Sequence, residues 1–313
     1  MKKFILSIIT IFSFFVTTNV NSQGVIQGLI DDADVGEMVI VPSGDYELQS
    51  TINLDKNISL VCESACNIDA TLVMTAIYVT ACGADVSGFN IDGGASTTSG
   101  ITVYNSGQDC DSLDPSTIDS NDVSGMSLPN QGNTSPLSYG ILVFGDSAES
   151  TTNGVIITGN TISNVNGAGI SLGDHSSDIE ITNNNISDII EVTDADGNPY
   201  SIGINFGSST NVDVSSNTFS NLTTAMNSYG VALNVNYSSS ESDYTGVTTL
   251  LNEFSLTPVN FNYEADALYS VDYNVDVLGT LYSFTSYHND EITAQMVAAA
   301  LLGTFNEVVE GCT

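Results

Sequence analysis

Apolar and polar residues alternate in short runs along most of this chain, and one such run occurs twice. VIITGNTISNV at 155–165 returns as IEITNNNISDI at 179–189, an offset of 24 residues. In each copy the alternation enters a polar corner at Asn160 or Asn184 and resumes at Ile162 or Ile186. That pattern predicts strand, corner, strand. A unit this short cannot bury its own apolar face, so the second copy is expected to lie directly on the first.

Two rows extend the register. A central Asn recurs at Asn121, Asn160, Asn184, Asn217 and Asn252, with Phe89-Asn90-Ile91 as an earlier turn of the same row. A glycine-led strand recurs at Gly100, Gly140, Gly169, Gly203 and Gly230. The two alternate, one of each per coil. Stacked side-chain amides about 4.8 Å apart can hydrogen-bond along the coil axis and satisfy a tight corner. The glycines are expected to supply corners of positive φ. Val123, Ile162, Ile186, Phe219 and Phe254 should form an inner ladder. Insertions gather at 126–138, 190–201 and 222–228, with a second set at 105–117 and 238–245, so loops should line one side of the coil.

The ends differ. Val25, Ile26, Leu29, Ile30 and Ala33 sit at helical spacing and predict a short amphipathic helix. Asn289 can cap a second helix running through Ile292, Met296, Val297, Ala300, Leu301 and Phe305. The run Ile26-Gln27, Ile30, Ala33, Gly36-Glu37, Val39, Val41-Pro42-Ser43-Gly44, Tyr46, then Ile52 and Lys56-Asn57-Ile58, resembles the amino-terminal cap of the pectin-lyase-like superfamily. That resemblance implies an all-β fold, a right-handed single-stranded parallel β-helix with an amino-terminal cap helix, to which the spacing after Asn289 adds a carboxy-terminal cap helix. The expected division is a signal peptide at 1–22, cap and first coils at 23–62, parallel coils at 63–285 and a closing helix at 286–313. The superfamily holds lyases, hydrolases, epimerases and adhesins, so it implies architecture and not activity.

Charge narrows the partners. Phe4 to Val16 follows Lys2-Lys3 and is too short to span a bilayer, which predicts a secretory leader and a secreted or cell-surface protein without a transmembrane segment. Its loss leaves Lys56 as the only Lys or Arg against 37 acidic residues, and arginine is absent altogether. Such a surface repels phosphate backbones, so nucleic acid is excluded as a partner. Five cysteines permit disulfides: Cys62 with Cys82, in matching contexts 20 residues apart, or Cys66 with Cys82.

Three groups could carry chemistry. Asp174 and His175, with Asp178 nearby, follow Gly173 as Asp146 follows Gly145, so Asp146 and Asp174 are expected to face each other across one coil. Two carboxylates that close could serve acid–base hydrolysis with His175, or recruit a cation; a solvated turn is the plainer alternative. Glu191 and Asp194-Ala195-Asp196-Gly197-Asn198 resemble the start of a calcium loop without its closing Glu. No cofactor is demanded, and calcium is the one this pattern would accept. Tyr139, Tyr200 and Tyr229 at the loop ends could serve as sugar platforms, in a chain with no Trp. Lyase chemistry wants a basic residue at the site, and Lys56 lies by the amino-terminal cap. The leading expectation is a secreted surface or matrix protein for glycan or cation-mediated recognition, with polysaccharide or cell-surface glycan as partner. The alternative is a polysaccharide-active enzyme, a carboxylate-based glycoside hydrolase ahead of a calcium-assisted lyase.

Overall fold

The computed structural model describes residues 22–106, 110, 114–128, 138–147, 150–190, 192–193, 199–207 and 209–222, then the strand segments 229–235, 248–250, 253–255, 259–263, 269–277, 280–288 and 305–310. The 24-residue self-match is one turn of a coil. Val155 pairs in parallel with Ile179 and Ile157 with Ile181, and the next coil adds Val212 and Val214. Each coil contributes strands to a 14-stranded sheet carrying the self-match and to a nine-stranded sheet carrying the glycine-led strands. The architecture is a parallel β-helix.

Its core is a set of stacked aliphatic ladders. Ile77, Ile101, Ile141, Ile170 and Ile204 lie in register across successive coils and are fully buried. On the opposite wall Val123, Ile162, Ile186 and Phe219 do the same, and Phe254 continues the pairing. Each such side chain contributes about 1.5–3 kcal/mol by leaving water, which favours this register over any slipped one.

The Asn row is a continuous ladder at a corner. Oδ1 of Asn160 accepts from the backbone N–H and the side-chain amide of Asn121, both at 3.0 Å. Asn184 does the same for Asn160, and Asn217 for Asn184. Each amide also donates to a carbonyl of the preceding coil, as Asn184 does to Ile157 at 2.9 Å. At the row's upper end Phe89, not Asn90, occupies the equivalent place, and its N–H donates to Asn121 Oδ1 at 3.1 Å. Asn252 lies outside the described residues.

The glycine row has a different cause from the one expected. Gly100, Gly140 and Gly169 do not have positive φ. A Cβ there would lie 2.4 Å from Val123 Cγ1, 2.4 Å from Ile162 Cγ2 and 2.6 Å from Ile186 Cγ2, so these positions must be bare for the two walls to meet. The row also ends differently: Gly230 pairs with Ser201, and Ile204 with Leu233, which sets Ala232 rather than Gly230 opposite Gly203. Left-handed backbone falls elsewhere, stacked at two corners as Ser120, Gly159, Asn183 and Ser216 and as Gly125, Asn164, Asp188 and Asn221, and inside the strands as Gly154, Asp178 and Asn211. Small polar residues that bond locally tolerate that conformation best.

Helix α1 (Ser22–Asp32) lies on the first coil with Ile26 and Ile30 fully buried. Gln27 imitates a neighbouring strand: its Oε1 accepts from Asn53 N–H at 2.9 Å and its Nε2 donates to Asn53 C=O at 3.2 Å. Both groups belong to the strand Ile52–Leu54 at the edge of its sheet, where unpaired main chain would otherwise invite another chain. Past Val259–Tyr263, the last parallel strand described, Tyr269–Val277 pairs antiparallel with Thr280–His288 and with Phe305–Glu310. Antiparallel pairing therefore replaces the coils expected up to residue 285. Of the expected closing helix, 289–304 lies outside the described residues, and Phe305 begins a strand.

The disulfides are Cys62–Cys66 and Cys82–Cys110, and neither expected pairing forms. Register explains this. Ser59 pairs with Asp85 and Val61 with Ser87, after which the ladder shifts until Cys66 meets Phe89. Gly88, rather than Cys82, therefore stacks on Cys62; a Cβ on it would sit 3.5 Å from Cys62 Cβ. The extra residues between Cys62 and Cys66 bulge from the strand and bring those two thiols together.

Candidate functional site

The glycine-led strands carry their outward residues to one corner in a fixed order. Tyr104 follows Val103 as Phe144 follows Val143, and main-chain bonds hold the column: Tyr104 N–H to Val79 C=O at 2.8 Å, Phe144 N–H to Val103 C=O at 3.3 Å and Gly173 N–H to Val143 C=O at 2.7 Å. Tyr78 points outward between the buried Ile77 and Val79. The three rings stack along the coil axis. Tyr78 and Tyr104 have centroids 6.1 Å apart and planes inclined by 17°; Tyr104 and Phe144 lie at 4.9 Å and 39°. All three are partly exposed.

Asp146 stands beside this column, at its middle ring. Tyr104 donates its hydroxyl to Asp146 Oδ2. The carboxylate is exposed, while the residue's N–H is fixed by donating to Ser106 Oγ and Ser150 C=O, each at 3.1 Å. The hydrogen bond to Asp146 holds the Tyr104 phenol above its ordinary range, with lost hydration second. Tyr78 is raised first by burial and then by the same carboxylate. Aromatic faces and edges pack against the C–H surfaces of sugars, and a carboxylate accepts hydrogen bonds from their polar groups, so this arrangement suits a glycan.

The other expected partners fall elsewhere. The coil register sets Gly145, not Asp146, against Asp174: Gly145 N–H donates to Asp174 C=O at 2.9 Å. The Gly-Asp pairs are 28 residues apart, whereas Ile141 and Ile170 are 29 apart in register, so the two carboxylates are one residue out of step. His175 is an αL corner residue whose carbonyl accepts from Thr152 N–H at 3.0 Å. Tyr139 pairs with Ala168 and is largely buried, with its phenol raised by burial. Tyr200 and Tyr229 are direct partners in the next two coils, and the register does not place Tyr139 in their row. Glu191, Asp194, Asp196 and Asn198 lie outside the described residues. Among the described residues no three His, Cys, Asp or Glu side chains are grouped to hold a metal, and no helix is long and apolar enough to cross a membrane. The sequence did contain a sign of the column: Val-Tyr and Val-Phe stand equally far beyond Gly100 and Gly140.

Residues 75–253 match the family described as right handed beta helix region. The chain belongs to this family. Solved β-helix structures that resemble it include an alginate lyase from Paenibacillus sp. str. FPU-7, at 11% identity and a TM-score of 0.40 over 75% of this chain and 96% of that one. The A-module of the Azotobacter vinelandii mannuronan C-5 epimerase AlgE4 matches at 12% identity and a TM-score of 0.26, over 78% and 93%. The Streptococcus pneumoniae surface protein and adhesin PfbA matches at 11% identity and 0.26, over 77% and 94%. No curated protein matches this β-helix in sequence.

Proposed function

We propose that this β-helix is a secreted surface or matrix protein that recognises glycans without cleaving them, through the column of Tyr78, Tyr104 and Phe144 with Asp146 beside it. The observation that carries the reading is the Tyr104–Asp146 hydrogen bond within a partly exposed ring stack, because it joins an apolar strip to a fixed acceptor at one corner. An oxidising, extracellular setting is supported by the two disulfides and the apolar leader-like stretch at 4–16.

A panel of soluble polysaccharides, offered with and without calcium, tests the reading when both binding and the release of reducing or unsaturated ends are scored. Binding without release is expected, weakened about tenfold or more by Tyr104→Ala, which removes ring and hydroxyl, and by a smaller but measurable factor by Tyr104→Phe, which keeps the ring and loses the hydrogen bond to Asp146. Chain cleavage by the wild-type protein, or binding that ignores Tyr104→Ala, would overturn it.

A further inference from the structure

We infer that the column prefers a glycan bearing free amino groups to one bearing uronate carboxylates. The inference rests on the glycan-binding reading above and adds the chemical class.

Its first support is Asp146. A carboxylate offers about four acceptor positions, and Tyr104 occupies one of them. The group is exposed, so an ammonium can approach the others and form a charge-assisted hydrogen bond. The neighbouring rings add apolar contact for the sugar that carries the amine.

The second support is the shortage of positive charge. The chain has three Lys and no Arg against 37 acidic residues, and two of the three, Lys2 and Lys3, open the leader-like stretch. The third is committed elsewhere: Lys56 Nζ donates to the carbonyls of Ile30, Asp31 and Ala33 at 3.0, 2.7 and 3.0 Å, at the end of α1. Among the described residues no Lys or Arg is left to pair with a uronate at the column, and the surrounding field concentrates cations while repelling anions.

A matched set of oligosaccharides separates the possibilities: a glucosamine hexamer, its N-acetylated counterpart and a uronate hexamer, titrated by calorimetry in mildly acidic buffer where sugar amines are protonated. The free amine is expected to bind about tenfold tighter than the N-acetylated form, with a gap that narrows as salt is added. Asp146→Asn should close that gap, and Asp32→Asn, which removes an exposed carboxylate on α1, should leave it. An equal response to both substitutions would show general attraction to an acidic protein and overturn the inference. Equal or tighter binding of the N-acetylated or uronate hexamer would also overturn it, while leaving the glycan reading intact. Binding of none of the three, with no polysaccharide bound in the wider panel, removes both. Circular dichroism of each variant confirms that the coil is retained.

Discussion

Asn160 gives both its backbone N–H and its side-chain amide to a single oxygen, Oδ1 of Asn184, at 3.0 Å each. Asn184 is itself buried, and its own amide reaches Ile157 C=O. Replacing it with Ala would strand several main-chain and side-chain groups away from water at once. A loss of about 2–4 kcal/mol is expected in chemical denaturation, larger than for a buried residue with one hydrogen bond. Asn184→Asp should restore only part of it, because the carboxylate keeps the acceptor and loses the donor to Ile157. A cost under about 0.5 kcal/mol for Ala would show that water can replace the ladder.

The glycine row yields a pair of opposite effects. At Gly140 a Cβ would press against Ile162 Cγ2 at 2.4 Å and Gly169 O at 2.6 Å. Gly140→Ala is therefore expected to cost about 1–3 kcal/mol, and the added change Ile162→Ala should cost less in that background than in the wild type. At Gly28, inside α1, nothing lies within 4 Å of the added carbon. Gly28→Ala should stabilise by about 0.5–1 kcal/mol through helix propensity. Thermal unfolding of the two single variants decides the matter; equal signs would rule out this account of the row.

Much of this fold was legible because it rests on repetition. The offset between Val155 and Ile179, and the Asn and inner aliphatic rows, are periodic features that a coil must display in its sequence. What was not legible depended on single insertions. One residue fewer between Gly145 and Gly173 than the register demands separates Asp146 from Asp174, and a coil that pairs Ser59 with Asp85, longer than the spacing of Cys62 and Cys82, puts Gly88 in the place where Cys82 was expected. The glycines were visible, but the choice between a bent backbone and a tight approach to Ile162 lies in the opposite wall, far along the chain. Tyr104 and Phe144 were masked by their plain appearance, since an aromatic residue after a buried Val commonly just packs. The helical pattern of Ile26 and Ile30 was readable from spacing, whereas the strand-like use of Gln27 was not, because it involves main chain 26 residues away.

The disulfide pattern gives a third prediction. Cys82–Cys110 closes a separation of 28 residues and Cys62–Cys66 one of only four. If each acts by restricting the unfolded chain, removing the first by paired Cys→Ser changes should cost about 3.5 kcal/mol and removing the second about 2 kcal/mol. Mass mapping of unreduced peptides should show the same two links. A Cys62–Cys82 or Cys66–Cys82 peptide would contradict the register described above.

The tyrosines set the alkaline limit of the fold. Burial raises the Tyr139 phenol above 10.0, since the ionised ring would lose its water, and Tyr104 and Tyr78 are raised too, with Asp146 the main cause for Tyr104 and the lesser one for Tyr78. A raised folded pKa means the native state keeps its proton when the unfolded chain has released it. The stabilising contribution is thus complete below pH 10.0 and is lost as pH climbs through the folded values. Phenolate absorbance should accordingly show a late-titrating group of tyrosines, with unfolding setting in as they ionise. Asp146→Asn removes the negative neighbour, so Tyr104, and to a smaller extent Tyr78, should ionise at lower pH, while Tyr139 stays where burial holds it. Tyr139→Phe should remove one late-titrating group and make the variant more resistant than wild type at high pH. If Asp146→Asn left every late-titrating tyrosine unmoved, the Tyr104–Asp146 contact would not persist in solution, and the proposed binding column would lose its fixed acceptor.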